Sequence, residues 1–125
     1  MDPADIVLLH AGSNGLAADT DDVEAILNEI QRWEDSAEGN HVIVVLAKII
    51  DYVPHNPIVD EFNTNLQSMA DNRIANGDDI IVVDQRNALN YQDDMSNYVH
   101  PNDIGYAKMS NVWFNALTNI VDKCP

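Results

Sequence analysis

His100 stands immediately before a proline, in the run NYVHPNDIGYAKMS from Asn97 to Ser110. An imidazole titrates near neutrality, so it can take a proton from a nucleophile and hand it to a leaving group. Such a base needs something across from it. A second run, HAGSNG from His10 to Gly15, closes an apolar stretch near the start of the chain. There Gly12 can turn tightly and offer a backbone N–H, and Asn14 can present an amide. Donors of that kind at a strand end suit a developing oxyanion. The same residues also build ordinary turns, so the chemistry depends on the two loops meeting. Between the two donors lies Ser13, a candidate nucleophile if His100 activates it. Asn97, Asp93 and Asp94 lie close enough along the chain to orient the imidazole, and Ser96 is close as well. No His/Cys spacing suggests zinc and no glycine-rich phosphate loop occurs, so neither metal nor cofactor is expected.

These loops need elements to hold them. Three short, continuous apolar runs read as strands buried on both faces of a parallel sheet: Asp5 to Gly12, His41 to Ile50 and Asp79 to Asp84. Helical spacing lies between and after them. Val23, Ile26, Leu27, Ile30 and Trp33 predict a helix over 22–36, with Asp21 or Asp22 as its cap. Val59, Phe62, Leu66, Met69 and Arg73 or Ile74 predict a second over 57–75, opened by Pro57 and stopped by Gly77. A third follows HPND, capped by Asn102 or Asp103, with a stripe of Ala107, Val112, Trp113, Ala116, Leu117, Ile120 and Val121. Alternating strands and helices predict a single α/β domain, residues 1–125, of three layers: three parallel strands and three helices, flavodoxin-like. Ligands in such folds bind beyond the carboxyl ends of the strands, where HAGSNG, DYVPHN and the His100 loop fall.

In this order the runs resemble the SGNH (GDSL-type) hydrolases. DIVLLHAGSNG is similar to that family's third block, a strand followed by GxND. NYVHPNDIGYAKMS is similar to its fifth, DxxHPN followed by G-Y-x-K-M. The resemblance spans nearly the whole sequence but only the C-terminal part of the family's fold. It implies a carboxylester hydrolase acting on small acyl esters, with His100 as base and Gly12 and Asn14 as oxyanion-binding residues. It also implies departures. The first block, G-D-S with the nucleophile, and the second block, with its oxyanion glycine, have no counterpart here. Gly15 stands where the third block ends in Asp, and Asn97 stands where Asp accompanies the histidine. An amide can orient an imidazole, but it stabilises the imidazolium less than a carboxylate does; such a swap costs up to about four orders of magnitude in rate. The alternative is an inert relative that kept the fold as a binding or assembly module. The family's first strand would neighbour the strand at Asp5 to Gly12, so that strand is expected to be an exposed apolar edge. Homodimers or larger homo-oligomers through this edge follow.

Composition narrows the partners. Six Lys and Arg face 21 Asp and Glu, for a net charge of −15. So acidic a surface repels phosphate backbones, which argues against nucleic acid and fits either plain solubility or a high-salt habitat. Apolar residues make up 46% of the chain, enough for a core, yet no run approaches a membrane span. The opening MDPADIVLLH lacks a basic segment, so no signal peptide is read there and a cytoplasmic site is the default expectation. Cys124, the lone cysteine, forms no internal disulfide and is expected as a tail thiol.

Overall fold

A computed structural model describes residues 5–121; the Cys124 expectation lies outside them. The elements run β1 (Ile6–Leu9), α1 (Asp21–Glu34), β2 (Ile43–Lys48), α2 (Pro57–Ala75), β3 (Ile80–Asp84) and α3 (Asp103–Val121). The three strands form one open parallel sheet in the order β1-β2-β3. Ile6 lies opposite Ile43, and Val44 opposite Ile80. This is the expected α/β architecture, and the strands are shorter than the apolar runs that announce them.

Period-two alternation sorts the strand residues onto two cores. Val7, Leu9, Val44, Leu46, Ile80 and Val82 face Val23 and Leu27 of α1 and Val59, Phe62, Leu66 and Met69 of α2. Ile6, Ile43, Val45, Ile81 and Val83 face Trp113, Ala116 and Ile120 of α3. Helices therefore cover both faces, which is why β2 can be apolar from Ile43 through Ala47 before it ends in Lys48. Leu46, Ile49 and Leu66 are among the largest fully buried side chains, and each contributes roughly 1.5–3 kcal/mol through burial.

The helix ends follow their sequences with one exception. Asn56 caps α2 by accepting from the Ile58 N–H, Pro57 opens it, and Gly77 follows its end at φ +110°. Asn102 caps α3, its Oδ1 accepting from the Gly105 N–H at 3.0 Å. For α1 the N-cap is Thr20, without a side-chain bond, and Asp21 and Asp22 lie inside the first turn. The expected acidic cap is therefore replaced by carboxylates acting on the helix dipole. Ala107 and Val121, read as part of the α3 stripe, are exposed. The first turn of α3 packs on the His100 loop instead of the sheet, with Gly105 against Asp94 and Pro101.

Candidate functional site

Beyond the carboxyl ends of the strands lies a cleft of about 660 Å³. Its lining includes Gly12, Ser13 and Asn14 from the loop after β1 and His100 from the loop before α3. Two segments nearly ninety positions apart thus share one concavity.

Each side is held by identifiable contacts. Gly12 has φ +124°, and a Cβ there would come within 2.4 Å of the Phe62 ring, so any side chain would be both strained and obstructed. The Tyr52 hydroxyl donates to the Ser13 carbonyl at 2.5 Å, pinning the loop to the segment after β2. Among the described residues, the backbone N–H groups of Gly12 and Asn14 and the Asn14 amide have no partner. They remain available as donors.

The His100 loop closes on itself. Met95 and Pro101 form an antiparallel bridge, and the Ser96 N–H donates to the His100 carbonyl at 2.8 Å. Asn97 Oδ1 accepts from the N–H of Val99 at 3.0 Å and of His100 at 2.9 Å. It also meets His100 Nδ1 at 3.1 Å. Because that atom already accepts from two backbone donors it is the amide oxygen, so Nδ1 carries the proton. In the neutral ring Nε2 then keeps its lone pair, as a base requires. Asn97 therefore occupies the orienting position.

Asp94 does not share that role. It is 2% exposed, and its Oδ2 accepts from Lys108 Nζ at 2.5 Å and from the Asn90 N–H at 2.7 Å. The Lys108 and Asn90 hydrogen bonds hold its carboxyl below the ordinary range, against some desolvation. Its backbone carbonyl accepts from the Asn102 N–H at 2.8 Å. Asp94 fastens the loop to α3, and the imidazole lies beyond its hydrogen bonds. Asp93 is spent on Asn90 and, through its carbonyl, on Asn102.

Ser13 lines the cleft, but its hydroxyl is closed to solvent and has no hydrogen-bond partner. No imidazole nitrogen lies within bonding distance of it. As a nucleophile it would first have to rotate about χ1.

Two features escaped sequence reasoning. His10 also lines the cleft. Its Nε2 faces the Ile50 N–H at 3.4 Å, and burial pushes its pKa down against the raising effect of its own backbone hydrogen bond. Burial therefore favours its neutral form, as part of the cleft wall. The second feature lies at the end of β2, where Asp51 is 3% exposed. Asp51 Oδ2 meets His55 Nδ1 at 2.5 Å and Arg86 at 2.9 Å. Asp51 Oδ1 accepts from the N–H of Tyr52 and of Asn56. Arg86 stacks 5.1 Å from the Tyr91 ring, and the Tyr91 hydroxyl accepts from the Asp51 N–H while donating to the Arg86 carbonyl. This cluster sets the turn that delivers Tyr52 to Ser13. The signal for it was Asp51 at a strand end followed by His55, in the DYVPHN loop.

Chemically, the cleft offers an oriented imidazole with a free Nε2 and unpaired donors on the loop across from it. No group of three His, Cys, Asp or Glu side chains placed to hold a metal ion occurs among the described residues. Comparison with protein-family models, curated proteins and solved structures returned no match.

Proposed function

We propose that the chain is a carboxylester hydrolase for small acyl esters, with His100 as general base and the Gly12–Asn14 loop as oxyanion cradle. The observation that carries this reading is the shared cleft: His100, Gly12 and Asn14 line one concavity, and Asn97 leaves Nε2 free. His100 Nε2 removes a proton from a water molecule, whose oxygen attacks the ester carbonyl carbon. The carbonyl oxygen becomes an anion received by the Gly12 N–H and the Asn14 amide. Collapse of this intermediate expels the alkoxide, which takes the proton back from Nε2. Water is the favoured nucleophile because the Ser13 hydroxyl is closed off and unpartnered. Rotation of χ1 at Ser13 would open a route through an acyl-serine instead.

Hydrolysis of p-nitrophenyl acetate tests the reading. His100→Ala is expected to lower turnover by at least about 100-fold, the usual scale for general base catalysis. Ser13→Ala retains activity on the water route and abolishes it on the serine route. Asn97→Asp keeps every bond to the loop and adds a charge that stabilises the imidazolium, so it is expected to raise turnover at least about tenfold. A wild-type rate equal to buffer, or one indifferent to His100→Ala, removes the proposal. The second reading, an inert binding or assembly module, is favoured by one observation, the unactivated Ser13 hydroxyl. It predicts ligand binding in the cleft with no turnover.

A further inference from the structure

Besides His10, His100 and the donors of the Gly12–Asn14 loop, the cleft carries one carboxylate, Asp22, that the ester reading does not use. Its lining mixes apolar Val23, Ile26, Ile50, Val99 and Met109 with two aromatic rings, Tyr52 and Tyr106. Asp22 is the only Asp, Glu, Lys or Arg among the lining residues, and it has no ion-pair partner among the described residues. Two helices begin nearby, and each N-terminus carries about half a positive charge. The first turn of α1 answers with Asp21, Asp22 and Glu24, and that of α3 with Asp103. Those four carboxylates outweigh roughly one positive charge in total. The net charge of −15 adds a field that draws cations toward a concave, low-dielectric site.

The kind of cation follows from what the cleft lacks. A metal ion is usually held by several His, Cys, Asp or Glu side chains, and no cluster of three such side chains placed to hold one occurs among the described residues. One carboxylate, two tyrosine rings and an apolar wall instead suit an ammonium with a hydrocarbon body, held by cation–π and Coulomb attraction together. A volume of about 660 Å³ accommodates a small organic molecule.

We propose that the cleft binds a small alkylated ammonium between the Asp22 carboxylate and the rings of Tyr52 and Tyr106. The site does not depend on turnover. If the ester reading holds, this cation is the alcohol half of the preferred ester; if the inert reading holds, it is the ligand itself.

Calorimetric titration at low ionic strength tests it with three probes: choline, its uncharged tert-butyl analogue, and acetate. Choline is expected to bind one site per chain, about 3- to 30-fold tighter than the tert-butyl analogue, the span that a cation–π contact gives. Acetate is expected not to bind. Asp22→Asn should weaken choline at least about threefold and leave the tert-butyl analogue nearly unchanged, whereas Tyr106→Ala removes apolar contact from both and the cation–π increment from choline alone, so it should weaken choline more than the analogue. Asp71→Asn, which removes the same charge from an exposed site on α2 outside the cleft, should leave both unchanged. Thermal melts confirm that each variant is folded. The proposal is overturned if choline binds no tighter than its neutral analogue. It is also overturned if Asp22→Asn and Asp71→Asn weaken choline equally, because the effect would then belong to net charge. Neither outcome bears on ester hydrolysis, which the p-nitrophenyl assay reads separately.

Discussion

The side chains that touch the cleft depend on a few buried polar groups behind it, and Asp51 is the foremost. Burial opposes its ionisation, but hydrogen bonds from His55, Asn56 and Tyr52 and the Arg86 charge outweigh burial and hold its carboxyl below the ordinary value of 3.8. The folded state thus binds this proton less readily than the unfolded chain does. The resulting stability is complete above the unfolded pKa and disappears as pH falls through the lower folded one. Asp51→Asn keeps the shape but strands Arg86 and His55 beside an amide, so it is expected to cost about 2–4 kcal/mol at neutral pH. Urea titrations should show that deficit flat from about pH 7 to 5 and narrowing below about pH 4, where wild type loses its own advantage. A deficit independent of pH would show that the charge contributes nothing. His10 also titrates below its ordinary 6.5, so it adds acid sensitivity to both proteins and cancels from the difference. At this scale the sequence was legible where one short segment carries the contact. Asn97 and His100 lie three positions apart and meet in the structure. Asp94 looked equivalent along the chain, yet its Oδ2 turns to Lys108, fourteen positions away. The joining of Asp51 to Arg86 depends on β2 and β3 lying side by side, which no local pattern announces.

The elements are fastened to one another at the strand ends as much as through the core. Asn63, buried on the inner face of α2, accepts from the Ile49 N–H at 2.8 Å and donates to the Ile49 carbonyl at 2.9 Å. It thereby satisfies both backbone groups of the residue just past β2, where the ladder has stopped. Asn63→Ala leaves both groups buried and unpaired, at a cost of about 2–4 kcal/mol. Asn63→Asp keeps the acceptor, loses the donor and buries a charge, so it is expected to be at least as destabilising. Chemical denaturation midpoints check both; an alanine variant within about 0.5 kcal/mol of wild type would mean water replaces the amide. Element type was legible because short continuous apolar runs and helical period 3.6 are distinct signals in this chain, and α2 runs over the residues its pattern marks. Exposure was less so. Ile26 has the spacing of a core residue in α1 but turns to the cleft wall, 38% exposed. Helical periodicity places it on the apolar face without saying whether that face ends in core or in an open site.

At the scale of the molecule, two features oppose each other. Among the described residues β1 is bonded on one side to β2 and open on the other, and Leu8 within it is 44% exposed. An unpaired strand edge with an exposed leucine favours pairing with a second copy. A net charge of −15 on each copy repels that approach and also strains the monomer. Salt decides between them, because the Debye length falls from about 10 Å at 0.1 M to about 3 Å at 1 M. Surface carboxylates then cease to repel while the hydrogen-bonding edge is unaffected. We therefore propose a homodimer through β1 that forms as ionic strength rises, accompanied by a higher melting temperature. Sedimentation equilibrium at about 0.05 M and 2 M salt should move from the 13.9 kDa monomer toward twice that mass. Leu8→Lys, which places a charge on the edge strand, should hold the chain monomeric in high salt without lowering its melting temperature below that of the wild-type monomer. A wild type that stays monomeric while its melting temperature climbs would leave charge screening as the whole effect and remove the edge-pairing argument. Dimerisation that persists in Leu8→Lys would move the interface elsewhere, toward the exposed apolar side chains of α3, among which Phe114 is 67% exposed.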